Sequence, residues 1–240
     1  MLRIVTATGA DDKTDVNELV RLQKDFPFAE FGILVGSSVP KSRFPSYEWI
    51  ESLTGLNLNL SLHLCNIFVD DILQGDPFFI TNELSKIWHL FNRVQINTHG
   101  ERHGVALPKL AELISIFPEK EFIFQYDGVH NDVLESLKDK GIKNISALFD
   151  LSHGAGVLPD KWPNKLDGIK CGYAGGLSAV NAVDQLKHIY NIAGNREADF
   201  WIDAETYLRY NSSQGVSLFD TKVMVEQFFK RSALMLDYGL

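Results

Sequence analysis

Eight times along the chain a short strand-like run ends in polar or glycine-bearing residues and gives way to a segment with helical spacing. No other feature of the sequence constrains the fold as tightly. The runs are Arg3–Thr8, Glu30–Val35, Leu58–Cys65, Arg93–His99, Glu121–Asp127, Asn144–Asp150, Gly168–Ala174 and Asp199–Glu205. Between them Asp15–Lys24, Ser46–Leu53, Thr81–Phe91, Leu107–Ile116, Asn131–Lys140, Ala179–Tyr190 and Thr221–Leu234 carry apolar residues at helical spacing. The stretch after the sixth run, through Pro159 and Pro163, reads as irregular, with a short or missing helix. Strands alternating with helices imply parallel βα units, and right-handed crossovers close eight of them into a (β/α)8 TIM barrel of the α/β class. A doubly wound open sheet is the rival architecture.

At 240 residues, 45% hydrophobic and 22% charged, the chain is long enough for one barrel, and residues 1–240 are expected to form a single domain. The formal charge of −8 supplies no basic field to attract a nucleic acid or an anionic membrane. Cys65 and Cys171 are far apart and make no metal-spacing pair, which fits a reduced, cytoplasmic compartment. The start of the chain lacks the basic and apolar regions of a signal peptide, and no apolar run is long enough to span a bilayer. The expectation is a soluble monomer or homodimer acting on a small molecule.

Several runs show a period of two. Ser61, His63 and Cys65 alternate with Leu60, Leu62 and Leu64; Gln95, Asn97 and His99 with Val94 and Ile96; Gln125 and Asp127 with Phe122, Phe124 and Tyr126. Ser146 and Asp150 share a face, as do Asp203 and Glu205. Successive strand side chains point to opposite faces, and a barrel's outer face is covered by helices, so the polar set belongs in the lumen. Buried without partners these groups would cost several kcal/mol, so they call for a hydrogen-bonded network, water or a ligand. Ser61 and His63 fit a satisfied core network as well as a site, and Cys65 fits a small apolar core residue better than a nucleophile. Asn97, His99 and Asp127 end their strands before polar loops and read as functional, Asp203 as structural, and Glu205 as either. His89, His103, His130 and His188 read as surface residues. His63, His99, Asp127, Asp150 and Glu205 have no metal-binding spacing, and no metal or cofactor is expected.

The seventh run ends in Gly172-Tyr-Ala-Gly-Gly-Leu-Ser178, where adjacent glycines let backbone N–H groups approach a ligand, in the barrel position that often binds phosphate. Here the sequence resembles phosphoribosylanthranilate isomerase. The resemblance lies in Tyr173-Ala-Gly-Gly-Leu-Ser-Ala-Val-Asn181, Ala147-Leu-Phe-Asp-Leu-Ser-His-Gly-Ala-Gly156, Val39-Pro-Lys-Ser-Arg43 and Trp201-Ile-Asp203. It implies a barrel that converts an aminoaldose to an aminoketose by acid/base catalysis without metal or cofactor. Asp150 would be the general acid, Arg43 the clamp for a substrate carboxylate, and Gly175 and Gly176 donors to the phosphate. Asn97, His99, Gln125, His153 and Glu205 join the expected substrate contacts, and His63, Cys65, Asp127 and Thr8 the candidates for proton transfer.

Two departures stand out. Thr8 stands where the family has a cysteine base, and its hydroxyl cannot ionise near neutral pH. Glu205 stands near the family's phosphate contact, where Arg209 is the candidate compensating cation. Another barrel epimerase or lyase acting on a phosphosugar, with or without a metal, and a non-catalytic ligand-binding relative remain as alternatives.

Overall fold

A computed structural model describes residues 1–36, 42–101, 103–152, 155–193 and 198–236. Eight parallel strands close into a barrel: β1 (Leu2–Thr8), β2 (Ala29–Val35), β3 (Leu60–Leu64), β4 (Arg93–Ile96), β5 (Glu121–Gln125), β6 (Ile145–Phe149), β7 (Lys170–Ala174) and β8 (Phe200–Ala204). Each pairs with its neighbours in sequence, and β1 closes on β8 through Thr6↔Asp203 and Ala7↔Ala204. All eight runs are strands, six of them a residue or more shorter than the polar pattern suggested at one end or both, while β1 gains Leu2 and β2 gains Ala29. The open-sheet alternative falls with the β1–β8 pairing.

The helices are α1 (Val16–Asp25), α2 (Tyr47–Glu51), α3 (Ile67–Leu73), α4 (Phe78–Thr81), α5 (Leu107–Ser115), α6 (Asn131–Asp139), α7 (Ala182–Ile192) and α8 (Glu226–Leu236). Side-chain caps hold two starts, Asp15 accepting from Asn17 N and Ser46 from Trp49 N. Thr81–Phe91 is not one helix. Leu84, Ile87, Trp88 and Phe91 are buried at helical spacing, but the short α4 and a 3-10 turn at Trp88–Leu90 place them there. The helix that follows β3 directly is α3, started by Asn66 at φ 56°. Among the described residues no helix lies between β6 and β7. After β8 comes an unexpected hairpin, β9 (Arg209–Asn211) with β10 (Ser217–Phe219), and then a π-turn leading into α8.

Core and lumen are separate. Outward strand residues meet the helices, as where Phe31 packs edge-on against Phe229 at 6.0 Å. Inside, a small apolar layer of Ile123, Leu148, Ala174 and Trp201 spans the barrel, and a Cβ on Gly172 would overlap the Trp201 ring. Below it lies a charged floor. Arg93 Nη1 donates to Glu30 at 2.8 Å, its Nε lies 3.3 Å from Glu121, and Lys170 Nζ donates to Glu121 at 3.0 Å. The Arg93 guanidinium also sits 4.3 Å from the Trp201 ring centroid. Two carboxylates and two cations thus neutralise one another, Arg93 and Glu30 buried and Glu121 and Lys170 half-buried.

Among the described residues no helix is long and apolar enough to cross a membrane.

Candidate active site

The carboxyl ends of the strands surround a cavity that opens to solvent. Its wall brings together His63, Asn97, His99, Gln125, Asp150, Gly175, Gly176 and Glu205, all singled out from the sequence, with Gln95 and Asp203. Thr8, Cys65, Asp127 and Arg43 are not among the described wall residues. His153 lies outside the described residues.

Asp203 is the group that pattern reading under-valued. The alternation placed it in the lumen but gave it only a structural role. Thr8 Oγ donates to Asp203 Oδ1 at 2.8 Å, so the internal bond exists. Burial, reinforced by the carboxylates of Glu205, Glu30 and Asp150, nevertheless pushes Asp203 up to about 8. Its carboxyl therefore exchanges a proton near neutral pH, within the cavity Asp150 also lines. Thr8, whose own hydroxyl does not ionise near neutral pH, is thus bonded to a group with the acidity it lacks.

Asp150 follows β6 and accepts from Ser152 Oγ at 2.7 Å and Ser152 N at 3.2 Å. The loop beyond returns across the mouth onto β7. A Cβ on Gly176, at φ 66°, would stand 2.5 Å from Leu158 N, and one on Gly175 would stand 3.0 Å from Val157 O. The paired glycines are thus demanded by close passage of the β6 loop as well as by any ligand.

Deeper, an oriented chain of polar groups crosses β3 and β4. Gln95 Nε2 donates to Asn97 Oδ1 at 2.9 Å and lies 3.3 Å from His63 Nδ1; Asn97 Nδ2 donates to Cys65 Sγ at 3.5 Å. Burial, then the Arg93 charge, pushes His63 down to about 3, so its ring is neutral. Burial pushes the Cys65 thiol up to about 11 despite the Asn97 bond. Near neutral pH Cys65 is therefore a thiol rather than a thiolate. Gln125 Oε1 accepts from His99 N at 2.8 Å, which holds His99 at φ 52° on the rim. Asp127 turns into its own loop, with Oδ1 accepting from Val129 N at 2.9 Å.

Arg43 Nη1 donates to Glu205 Oε1 at 2.7 Å, so the expected carboxylate clamp grips a carboxylate of this chain. Arg209 is not the cation that compensates Glu205. It is buried against Asp11, with Nη2–Oδ2 at 2.8 Å, and its Nε donates to Ser217 Oγ at 3.0 Å. His130 is also buried, accepting from His103 N at 3.1 Å, and is no surface residue. Among the described residues no three His, Cys, Asp or Glu side chains are placed to share a metal ion.

No family model matches the chain, and no curated protein does. Solved structures do. A truncated 3-deoxy-D-arabino-heptulosonate 7-phosphate synthase from Thermotoga maritima matches at 10% identity and TM-score 0.57, over 99% of this chain and 86% of that one. The 3-hexulose-6-phosphate synthase of Salmonella typhimurium matches at 9% identity and TM-score 0.54, over 99% of this chain and all of that one. At such identities the likeness is one of fold, and the chain is a closed (β/α)8 barrel.

Proposed function

We propose that this chain is an isomerase of a small phosphorylated aminosugar, working by acid/base catalysis without metal or cofactor, in the manner of phosphoribosylanthranilate isomerase. The observation that carries the reading is Asp203: a buried carboxyl on the cavity wall, pushed up to about 8, bonded to Thr8 and sharing its cavity with Asp150. A group that ionises near the working pH is suited to take and return a proton. The two solved structures described above are named for synthases of sugar phosphates, which supports a ligand of that class. The reading takes residues 1–240 as one catalytic domain with no nucleic-acid partner.

In this mechanism Asp150 protonates the furanose ring oxygen and the ring opens to an iminium. Ionised Asp203 then removes the proton from C2, and the electron pair of that bond moves toward nitrogen to give an enolamine. Return of the proton to C1, with loss of the enol proton to Asp150, yields the aminoketose and restores both carboxyl groups. Asp203 thus takes the part of the cysteine that Thr8 replaces. The Gly175–Gly176 turn offers backbone to the phosphate, and Arg43 neutralises Glu205 beside it.

The test is turnover of phosphoribosylanthranilate, followed by the loss of its fluorescence in the presence of a chelator. Turnover is expected to survive chelation and to be lost in Asp150→Asn with ligand binding kept. A folded wild-type protein that leaves the compound unchanged would reject the reading.

A further inference from the structure

We propose that His63 is a further catalytic residue of this site, a neutral imidazole whose Nε2–H donates a hydrogen bond to an oxygen of the bound sugar. The inference rests on the isomerase reading and names a group which that reading does not require.

The tautomer follows from the polar chain. An amide NH2 has two hydrogens and no lone pair to offer. Gln95 Nε2 gives one hydrogen to Asn97 Oδ1, at 2.9 Å, and faces His63 Nδ1 with the other, at 3.3 Å. Asn97 is held in that sense because its own Nδ2 donates to Cys65 Sγ. Nδ1 therefore accepts, and the hydrogen of a neutral ring lies on Nε2. Burial and the Arg93 charge keep the ring neutral across the working pH range.

Among the described residues that hydrogen has no recipient. His63 is 1% exposed, lines the cavity, and its Nε2 has no hydrogen-bond partner. An N–H left in this state is costly, so an acceptor from outside is favoured there. Its surroundings indicate what kind of acceptor. A Cβ on Gly32 would overlap Thr8 Oγ and stand 2.9 Å from His63 Nε2, so glycine at 32 is what lets the Thr8 hydroxyl and the His63 ring come together over that strand. Thr8 in turn bonds Asp203 at 2.8 Å.

One patch of lumen thus presents a fixed donor next to a proton-exchanging carboxyl. It complements an H–C–O–H unit, with the oxygen held by His63 and the C–H directed to Asp203. Charge that develops on that oxygen as the enol proton passes to Asp150 meets a donor already in place, and a neutral imidazole serves without giving up its proton. No bond to His63 forms or breaks.

Spectra of the full-length, 15N-histidine-labelled protein test this directly. The signal of His63 is expected to show the Nε2–H tautomer, unprotonated on Nδ1 and not titrating between about pH 8 and pH 5, where an ordinary histidine would charge. An imidazolium or the Nδ1–H tautomer would overturn the proposal. In Gln95→Leu the tautomers are expected to mix while the His188 signal stays unchanged; a fixed Nε2–H tautomer there would overturn the positioning role of Gln95. With phosphoribosylanthranilate, His63→Leu is expected to lose on the order of 100-fold in kcat at little cost in KM, and His63→Gln, which keeps a donor, much less. Unchanged kcat in His63→Leu would overturn the proposal. Should the wild-type protein not turn that compound over, the isomerase reading fails separately. Ribose 5-phosphate is then the probe: a shift of the His63 Nε2–H signal on its addition keeps His63 as a sugar-oxygen donor, and no shift removes it.

Discussion

At the scale of single residues, Asp203 and His63 are lumen groups held away from their ordinary ionisation, and each shapes stability as well as chemistry. Asp203 is raised from 3.8 to about 8. Between those values the native state keeps a proton that the unfolded state has released, so this group's contribution is complete below about 4 and declines as pH rises through 8. Asp203→Asn keeps the shape and removes the ionisation. Denaturation at pH 9 should find it more stable than wild type by a few kcal/mol, and at pH 4 about equal; a variant less stable than wild type at pH 9 would show that the neutral carboxyl is not what the fold prefers. His63 acts in the opposite sense: its pKa is lowered from 6.5 to about 3, so its contribution is present above about 6.5 and is lost as pH falls toward 3. Alternation along the strands was enough to put both residues in the lumen. It was not enough to rank them, because rank depends on the depth of burial and on neighbours from other strands, which one strand's pattern does not contain.

At the scale of elements, the strands were legible because leucine and phenylalanine alternate with polar residues at a period no helix shares. The segment after β3 was not, since Ile67, Phe68, Val69, Ile72 and Leu73 follow the strand without a break in hydrophobicity and only the positive φ of Asn66 marks the turn. The loop after β6 is the element on which the mouth depends. Gly176→Ala places a side chain against Leu158 N at a φ that disfavours it. It should cost about 1 kcal/mol or more, raise KM for the substrate, and open the loop to proteolysis between Leu151 and Leu158. An unchanged cleavage pattern and unchanged KM would remove the loop's backbone contact as the reason for this glycine.

At the scale of the whole molecule, the barrel floor is an ion network, and it escaped sequence reading for a plain reason. Glu30, Arg93, Glu121 and Lys170 lie early in their runs, where a charge ordinarily marks the passage from solvent into a strand. Closing the barrel turns them toward one another, with Arg93 and Glu30 both 5% exposed. Arg93→Met leaves Glu30 buried without its cation and should destabilise the protein by about 3 kcal/mol or more in chemical denaturation; a loss under about 1 kcal/mol would mean that water reaches the floor. The network also supports the site above it, since the Arg93 charge helps to keep His63 neutral. The pieces meet in a barrel whose charged floor and apolar waist carry a proton-exchanging carboxyl at the mouth. The most direct test is the pH dependence of kcat/KM for phosphoribosylanthranilate in wild type and Asp203→Asn, which reports the free protein's essential groups. The account predicts a wild-type rate that rises through a midpoint near 8 and is abolished by the substitution. A profile flat across that range, or a variant as fast as wild type, would contradict it.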